Sequence, residues 1–399
     1  MKRTIIIFCL LLAALTQSIA ANRPKRWVAT WATAVQKVEP HNLPPAPYLA
    51  GNTLRQIVEV SVAGNVVRLE LSNQYNITPT EIVSVELAEA RTQGESADIV
   101  EQTTKTITFG GNLSVTMQPG QTITSDPVKF RLRQRMPVAI TIRFGQCSAT
   151  DVSGHPGSRT TSYIISGHGN DFAAATRSDH WYYISNLQVE AKGKMGSIAV
   201  IGNSITDGRG TTTNHQDRWT DNLSQRLLAD KATRHLSVLN YGLGGNCVLR
   251  GGLGPTANSR FERDALSAPG VKYVIVFEGV NDIGGSWQPD ETANQLISSF
   301  KAMIEQAHAH GLKIYGATIM PFRGNNYYNH GREEARQKVN EWIRNSGEYD
   351  GLIDFDRAMS DPQQPDRLNP AFLFENDWLH PNADGYRKMG DCIDINLFK

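Results

Sequence analysis

The feature that most constrains the fold is a change of periodicity across residues 186–196, "NLQVEAKGKMG". Before it, short runs rich in Thr, Val and Ile follow one another between Gly and Pro, with no sustained helical period. After it, strands alternate with helices. "SIAVIG" leads to "RWTDNLSQRLLAD", "LSVLNYG" to "RFERDAL", "VKYVIVFEG" to "ETANQLISSFKAMIEQAHAH" and "LKIYGATIM" to "REEARQKVNEWIRN". "GLIDFDRA" and a last helix after Pro381 close the series. Five strands alternating with helices predict an α/β region, a flavodoxin-like, doubly wound parallel sheet with helices on both faces. The first half predicts an all-β sandwich, jelly-roll-like, in which "LRQIVEVSVAGNVVRLELSN" folds as a hairpin about Ala63-Gly64-Asn65.

The N-terminus reads as a secretory signal peptide. Lys2 and Arg3 precede an apolar run from Ile5 to Leu15, and Ser18-Ile19-Ala20 forms a small-residue cleavage pattern. The run is too short for a stable membrane span. The expected organisation is a signal peptide at 1–20, a β-sandwich domain at 21–190 and an α/β domain at 191–399. The protein is thus expected to be secreted or periplasmic. Formal net charge is +1, and loss of Lys2 and Arg3 with the signal moves it to −1. Near neutrality gives no footprint for nucleic acid or an anionic membrane surface. Cys9 leaves with the signal, so Cys147, Cys247 and Cys392 allow one disulfide at most, and their wide spacing does not read as a zinc site.

Right-handed crossovers place the carboxyl ends of all parallel strands on one rim. Gly202-Asn203-Ser204, "GLGGN" (242–246), "GVND" (279–282) and, before the last helix, "DWLHPN" (377–382) gather there. Ser204 alone is open to three readings: a nucleophile, a turn residue or part of a phosphate loop. Together the segments hold the ingredients of acyl transfer. Ser204 can attack, His380 can take its proton, and Asp377 can fix the imidazole tautomer. The N–H groups of Ser204 and Gly245 and the amide of Asn281 are candidate oxyanion donors. "GLGGNC" lacks the third Gly of a dinucleotide fingerprint, and "GNSITDGRG" has no Gly-Lys-Ser/Thr and does not match G-x-S-x-G. His308 and His310 are expected at a solvated helix end, while Arg209, Arg250 and Trp287 are candidates for a substrate cleft.

"GNSIT", "GLGGN", "GVND" and "DWLHPN", in that order, resemble the four blocks of the SGNH hydrolases, or GDSL-type esterases. The resemblance implies catalytic Ser204, Asp377 and His380, with an oxyanion hole of Ser204, Gly245 and Asn281, and no metal or organic cofactor. "RWVATWATA", "LRQIVEVSV" and "VRLELSN" more loosely resemble the N-terminal region of a secreted two-domain subgroup. One departure stands out: the family carries Asp where this chain has Asn203. The resemblance implies an exported serine esterase working through an acyl-enzyme, with acylated, above all acetylated, carbohydrates as the favoured small-molecule or polysaccharide substrates. Two alternatives are a lipase or acylhydrolase acting on lipid or small esters, and a carbohydrate-binding protein on an inactive hydrolase scaffold. Oligomeric state is not legible.

Overall fold

The computed structural model describes residues 26–399, so the expected signal peptide lies outside the described residues. The N-terminal part packs two antiparallel sheets face to face. One is five-stranded and contains β1 (Trp27–Ala32), β3 (Gly64–Ser72) and β7 (Ile184–Glu190), with β7 between the other two. The other is seven-stranded and has β2 (Thr53–Glu59), β5 (Pro137–Phe144) and β4 (Thr80–Glu89) side by side at its centre. A small third sheet includes β6 (Ser153–His155).

The hairpin expected at Ala63-Gly64-Asn65 does not form. β2 pairs with β5, whereas β3 pairs with β7 in the opposite layer. Leu54 and Val58 of β2 and Val67, Leu69 and Leu71 of β3 are all fully buried in one shared core. Two apolar stripes bury more surface facing each other across the layers than lying side by side in one sheet. The connection turns the corner on Thr30 of β1, whose Oγ1 donates to Val62 O at 2.8 Å and whose carbonyl accepts from Ser61 N at 2.8 Å.

The C-terminal part follows the expected pattern. Its strands are β8 (Gly196–Gly202), β9 (Leu236–Gly242), β10 (Val271–Phe277), β11 (Lys313–Ala317) and β12 (Gly351–Ile353). All run parallel in the order β9-β8-β10-β11-β12. That is the flavodoxin-like order, with its switch point at the carboxyl end of β8. The helices used below are α1 (Ser204–Asp207), α2 (Trp219–Ala229), α3 (Ala257–Phe261), α4 (Val280–Gly284), α5 (Pro289–Ala309), α6 (His330–Asn345) and α7 (Ala383–Cys392).

β1 belongs to both cores. Its Val28 and Trp31 pack into the sandwich, while Ala29 and Ala32 pack into the α/β core. A bulge between Ala29 and Trp31 shifts the alternation of side chains by one residue, so that Trp31 returns to the face of Val28 and Ala32 to that of Ala29, and the small Ala residues let β1 approach the edge strand β9 closely. Ser237 Oγ donates to Ala29 O at 2.6 Å, and Thr33 bridges Asn240. The sandwich therefore covers the β9 edge, which would otherwise present unpaired backbone groups.

Cys147, Cys247 and Cys392 are free thiols. Among the described residues no helix is long and apolar enough to cross a membrane. Trp219, fully buried on α2, makes edge contacts with Phe277 and Phe355 beneath the sheet. Trp219→Ala is expected to cost about 3–5 kcal/mol of stability, read as a lower urea midpoint at unchanged slope.

Candidate active site

β8 ends at Gly202, and the chain enters a single helical turn. Asn203 is extended and caps α1, its Oδ1 accepting from Ile205 N at 3.1 Å. Gly208, at φ 108°, ends the turn with its N–H bonded to Ser204 O. A left-handed stop so soon after the start makes a tight elbow with Ser204 at its first position. Ser204 Oγ lies 2.8 Å from His380 Nε2, and both residues are buried. His380 Nδ1 lies 2.6 Å from Asp377 Oδ2, whose other oxygen accepts from Leu379 N at 2.9 Å and His380 N at 2.8 Å. The Asp-to-His segment is a loop, and Asn325 Nδ2 anchors it by donating to Asp377 O at 2.7 Å. Partial burial pushes the Asp377 carboxyl up, but hydrogen bonds from the His380 ring and backbone prevail and hold it below the usual carboxylate range. An ionised Asp377 thus faces Nδ1 at neutral pH, which favours the tautomer leaving Nε2 free to accept the serine proton.

The expected oxyanion donors gather beside Ser204. Ser204 N–H opens α1 and has no intrahelical acceptor. Gly245 sits at φ 67°, a conformation that favours Gly, and its N–H has no protein acceptor among the described residues. The Asn281 amide, on α4, is oriented from both ends: Tyr327 Oη donates to its Oδ1 at 3.1 Å and its Nδ2 donates to Asn246 O at 2.8 Å. The second Nδ2 hydrogen remains for a ligand. Asp282 fixes the intervening loop by accepting from Val248 N at 2.9 Å and Leu249 N at 3.0 Å.

The departure at Asn203 has a structural counterpart. Its Nδ2 donates at 3.2 Å to Glu278, the residue before "GVND". Burial pushes the Glu278 carboxyl up to about 8, against the pull of Arg260, whose Nη2 lies 3.6 Å away. An Asp at 203 would set two carboxylates against each other; an amide there donates instead. Sequence reasoning missed Glu278, Arg260, Asp282 and Tyr327 as supports. The position of Glu278 beside the third block was visible, but its contact with Asn203 spans two strands.

Ser204, His380, Gly245 and Asn281 line one cavity of about 380 Å³, together with Arg209. Arg250 and Trp287 line a groove of about 790 Å³ that shares Gly245, Asn281 and Tyr327 with it. Trp287 is almost fully exposed. His308 and His310 remain at the surface, His308 bonded to Asp350 at 2.9 Å. Among the described residues no group of three or more His, Cys, Asp and Glu side chains could hold a metal ion.

Two outcomes follow for Glu278. Its folded pKa lies above the ordinary value of 4.5, so its stability contribution is full below that value and is lost as pH rises through about 8. Glu278→Gln should flatten that slope in melting curves from pH 4 to 9. Asn203→Asp should lower the melting temperature, more at pH 8.5 than at pH 5, because a shared proton relieves the pair at low pH. Asn203→Asp/Glu278→Gln should recover most of the loss. An undiminished melting temperature for Asn203→Asp at pH 8.5 would sink this account.

No curated protein matches the chain in sequence. Residues 200–388 match the family described as GDSL-like Lipase/Acylhydrolase. Solved structures align with about half of the chain. An acetylxylan esterase from Geobacillus stearothermophilus is 20% identical, aligning 50% of this chain with 94% of its own at a TM-score of 0.38. A GDSL-like lipase from Bacteroides thetaiotaomicron is 18% identical over 51% of this chain and 87% of its own, at a TM-score of 0.37. The family match spans all four blocks with their Ser, Gly, Asn and His on one rim, and the α/β part of this chain belongs to the GDSL-like lipase/acylhydrolase family of the SGNH hydrolases, making the protein an ester hydrolase.

Proposed function

We propose that the protein is a secreted serine esterase that removes acyl groups, acetyl above all, from carbohydrate esters. The observation that carries the reading is the unbroken relay of Ser204 Oγ, His380 Nε2 and Nδ1, and Asp377 Oδ2 at 2.8 and 2.6 Å. Ser204 Oγ attacks the ester carbonyl while His380 takes its proton, and Asp377 stabilises the imidazolium. The tetrahedral oxyanion accepts from the N–H groups of Ser204 and Gly245 and from Asn281 Nδ2. Collapse expels the alcohol, which receives the proton from His380. A water, deprotonated by the same imidazole, then cleaves the acyl-enzyme and regenerates Ser204.

The substrate class is supported by the cavity wall. Leu243, Leu253 and Leu379 offer limited apolar cover beside Gln36, Glu39, Asn42 and Arg159. A short acyl group and a hydroxyl-rich alcohol suit that mixture better than a long fatty chain. We assign residues 1–20 to a signal peptide, 21–190 to the sandwich domain and 191–399 to the hydrolase domain. The first 20 residues match the charge, length and cleavage pattern of an export signal.

Hydrolysis of 4-nitrophenyl esters from acetyl to octanoyl tests the reading. Acetate is expected to be the best substrate, and Ser204→Ala should lose at least about 10⁴-fold in kcat. Asn281→Ala should lose roughly 10²–10³-fold, chiefly in kcat. Full activity in Ser204→Ala would refute the serine mechanism, and an octanoate preference would favour the lipase reading. Mass spectrometry of the exported protein is expected to find Ala21 at its N-terminus.

A further inference from the structure

The wall of the catalytic cavity facing Ser204 comes from the β-sandwich half. His155 ends β6, and the chain continues through Pro156, Gly157 and Ser158 to Arg159. This loop is pressed onto α1. His155 Nε2 lies 2.9 Å from Asp207 Oδ1, while its Nδ1 is 2.9 Å from Ala34 O. A Cβ on Gly157 would stand 2.0 Å from Asp207 Oδ2, so only Gly allows the approach. His180 Nδ1 holds the loop from behind, 2.5 Å from Pro156 O.

Arg159 is the residue this clamping presents. Its backbone is left-handed at φ 49°, unusual for a non-glycine residue, and its carbonyl is tied by Asn214 N at 2.9 Å. Its side chain lines the cavity with Ser204 and His380. Its Nε is buried without a hydrogen-bond partner, and its nearest carboxylate oxygen, Asp207 Oδ2, lies 3.9 Å from Nη2. A buried guanidinium donor without an acceptor is costly unless a ligand supplies the oxygen. Glu39 stands on the same wall, accepting from Gln36 Nε2 at 2.5 Å and Asn42 Nδ2 at 3.1 Å, which leaves carboxylate lone pairs for a ligand hydroxyl.

We propose that the β-sandwich supplies the subsite for the alcohol half of the ester, that Arg159 is its principal donor, and that this half is a sugar. The inference rests on the esterase reading above for the identity of the scissile bond. A cluster of cations alone would suit a phosphate headgroup. Here the guanidiniums of Arg159 and Arg209 share the cavity with the carboxylates of Glu39 and Asp207. Donors and acceptors in one cavity match hydroxyls, which both give and accept hydrogen bonds.

Arg159→Asn is the test variant, because Asn tolerates the left-handed backbone; Arg159→Lys keeps the charge without the planar fork. For each, kcat and KM are measured on a monoacetylated methyl glycoside and on 4-nitrophenyl acetate. We expect Arg159→Asn to lower the ratio of the two kcat/KM values by about tenfold to a hundredfold, mainly through KM for the glycoside, and Arg159→Lys to lower it less. Calorimetric titration of the glycoside into Ser204→Ala, with and without Arg159→Asn, reads the subsite without turnover and should show the same loss. If Ser204→Ala retains activity the serine-esterase reading fails, while the titration still decides the subsite. Equal losses on both esters, an unchanged ratio, or no glycoside binding to Ser204→Ala would each overturn the proposal.

Discussion

The active-site rim depends on one buried cation. Arg260, on α3, is inaccessible to solvent and donates to Gly202 O at 3.1 Å and Tyr241 O at 2.6 Å, at the ends of two adjacent strands. The same group bonds Asn246 Oδ1 at 2.9 Å and Asp264 Oδ2 at 3.1 Å. One guanidinium thus sets the spacing between the strand that delivers Ser204 and the loop that delivers Gly245. A charge at that depth persists only when fully paired, and removing a partner from such a set typically costs 3–5 kcal/mol. Glu278 completes the set and passes the constraint to Asn203. The amide in place of the family's carboxylate is therefore part of a local charge balance, with Ser204, the proposed nucleophile, one residue away.

The second constraint is the seam between the two halves. β1 contributes to both cores, and the loop after β6 rests on α1. His155 meets Asp207 at 2.9 Å, although Oδ1 is not aligned for a good hydrogen bond, so the contact is chiefly electrostatic and steric. Asp207 lies three residues after Ser204 on the same single helical turn. The sandwich therefore bears on the element that holds Ser204, the proposed nucleophile, besides forming one wall of its cavity.

The Asp377–His380 half of the proposed relay is local in character, whereas Ser204 reaches His380 across 176 positions. Asp377 and His380 share a loop, and Asp377 also caps two N–H groups of that loop. This arrangement orients the imidazole before any substrate arrives, as the base role proposed for His380 requires. Asn281 is held likewise, by Tyr327 on one side and Asn246 O on the other.

The parallel sheet, its helices and the residues standing at each strand's carboxyl end can be read from the chain alone. Periodicity is a local property, and right-handed crossovers leave little freedom in which edge those ends share. The blocks around Ser204, Gly245, Asn281 and His380 were legible because each follows or precedes an element whose end the pattern marks. The placement of β2 and β3 in opposite layers emerges first in the folded chain, since alternation reads the same whether an apolar stripe meets a neighbouring strand or a facing sheet. Likewise only the fold brought Glu278 to Asn203, Arg260 to Gly202, and Arg159 to the cavity of Ser204. Those contacts join residues between 45 and 75 positions apart, and burial and charge pairing over such distances leave no periodic trace in the chain.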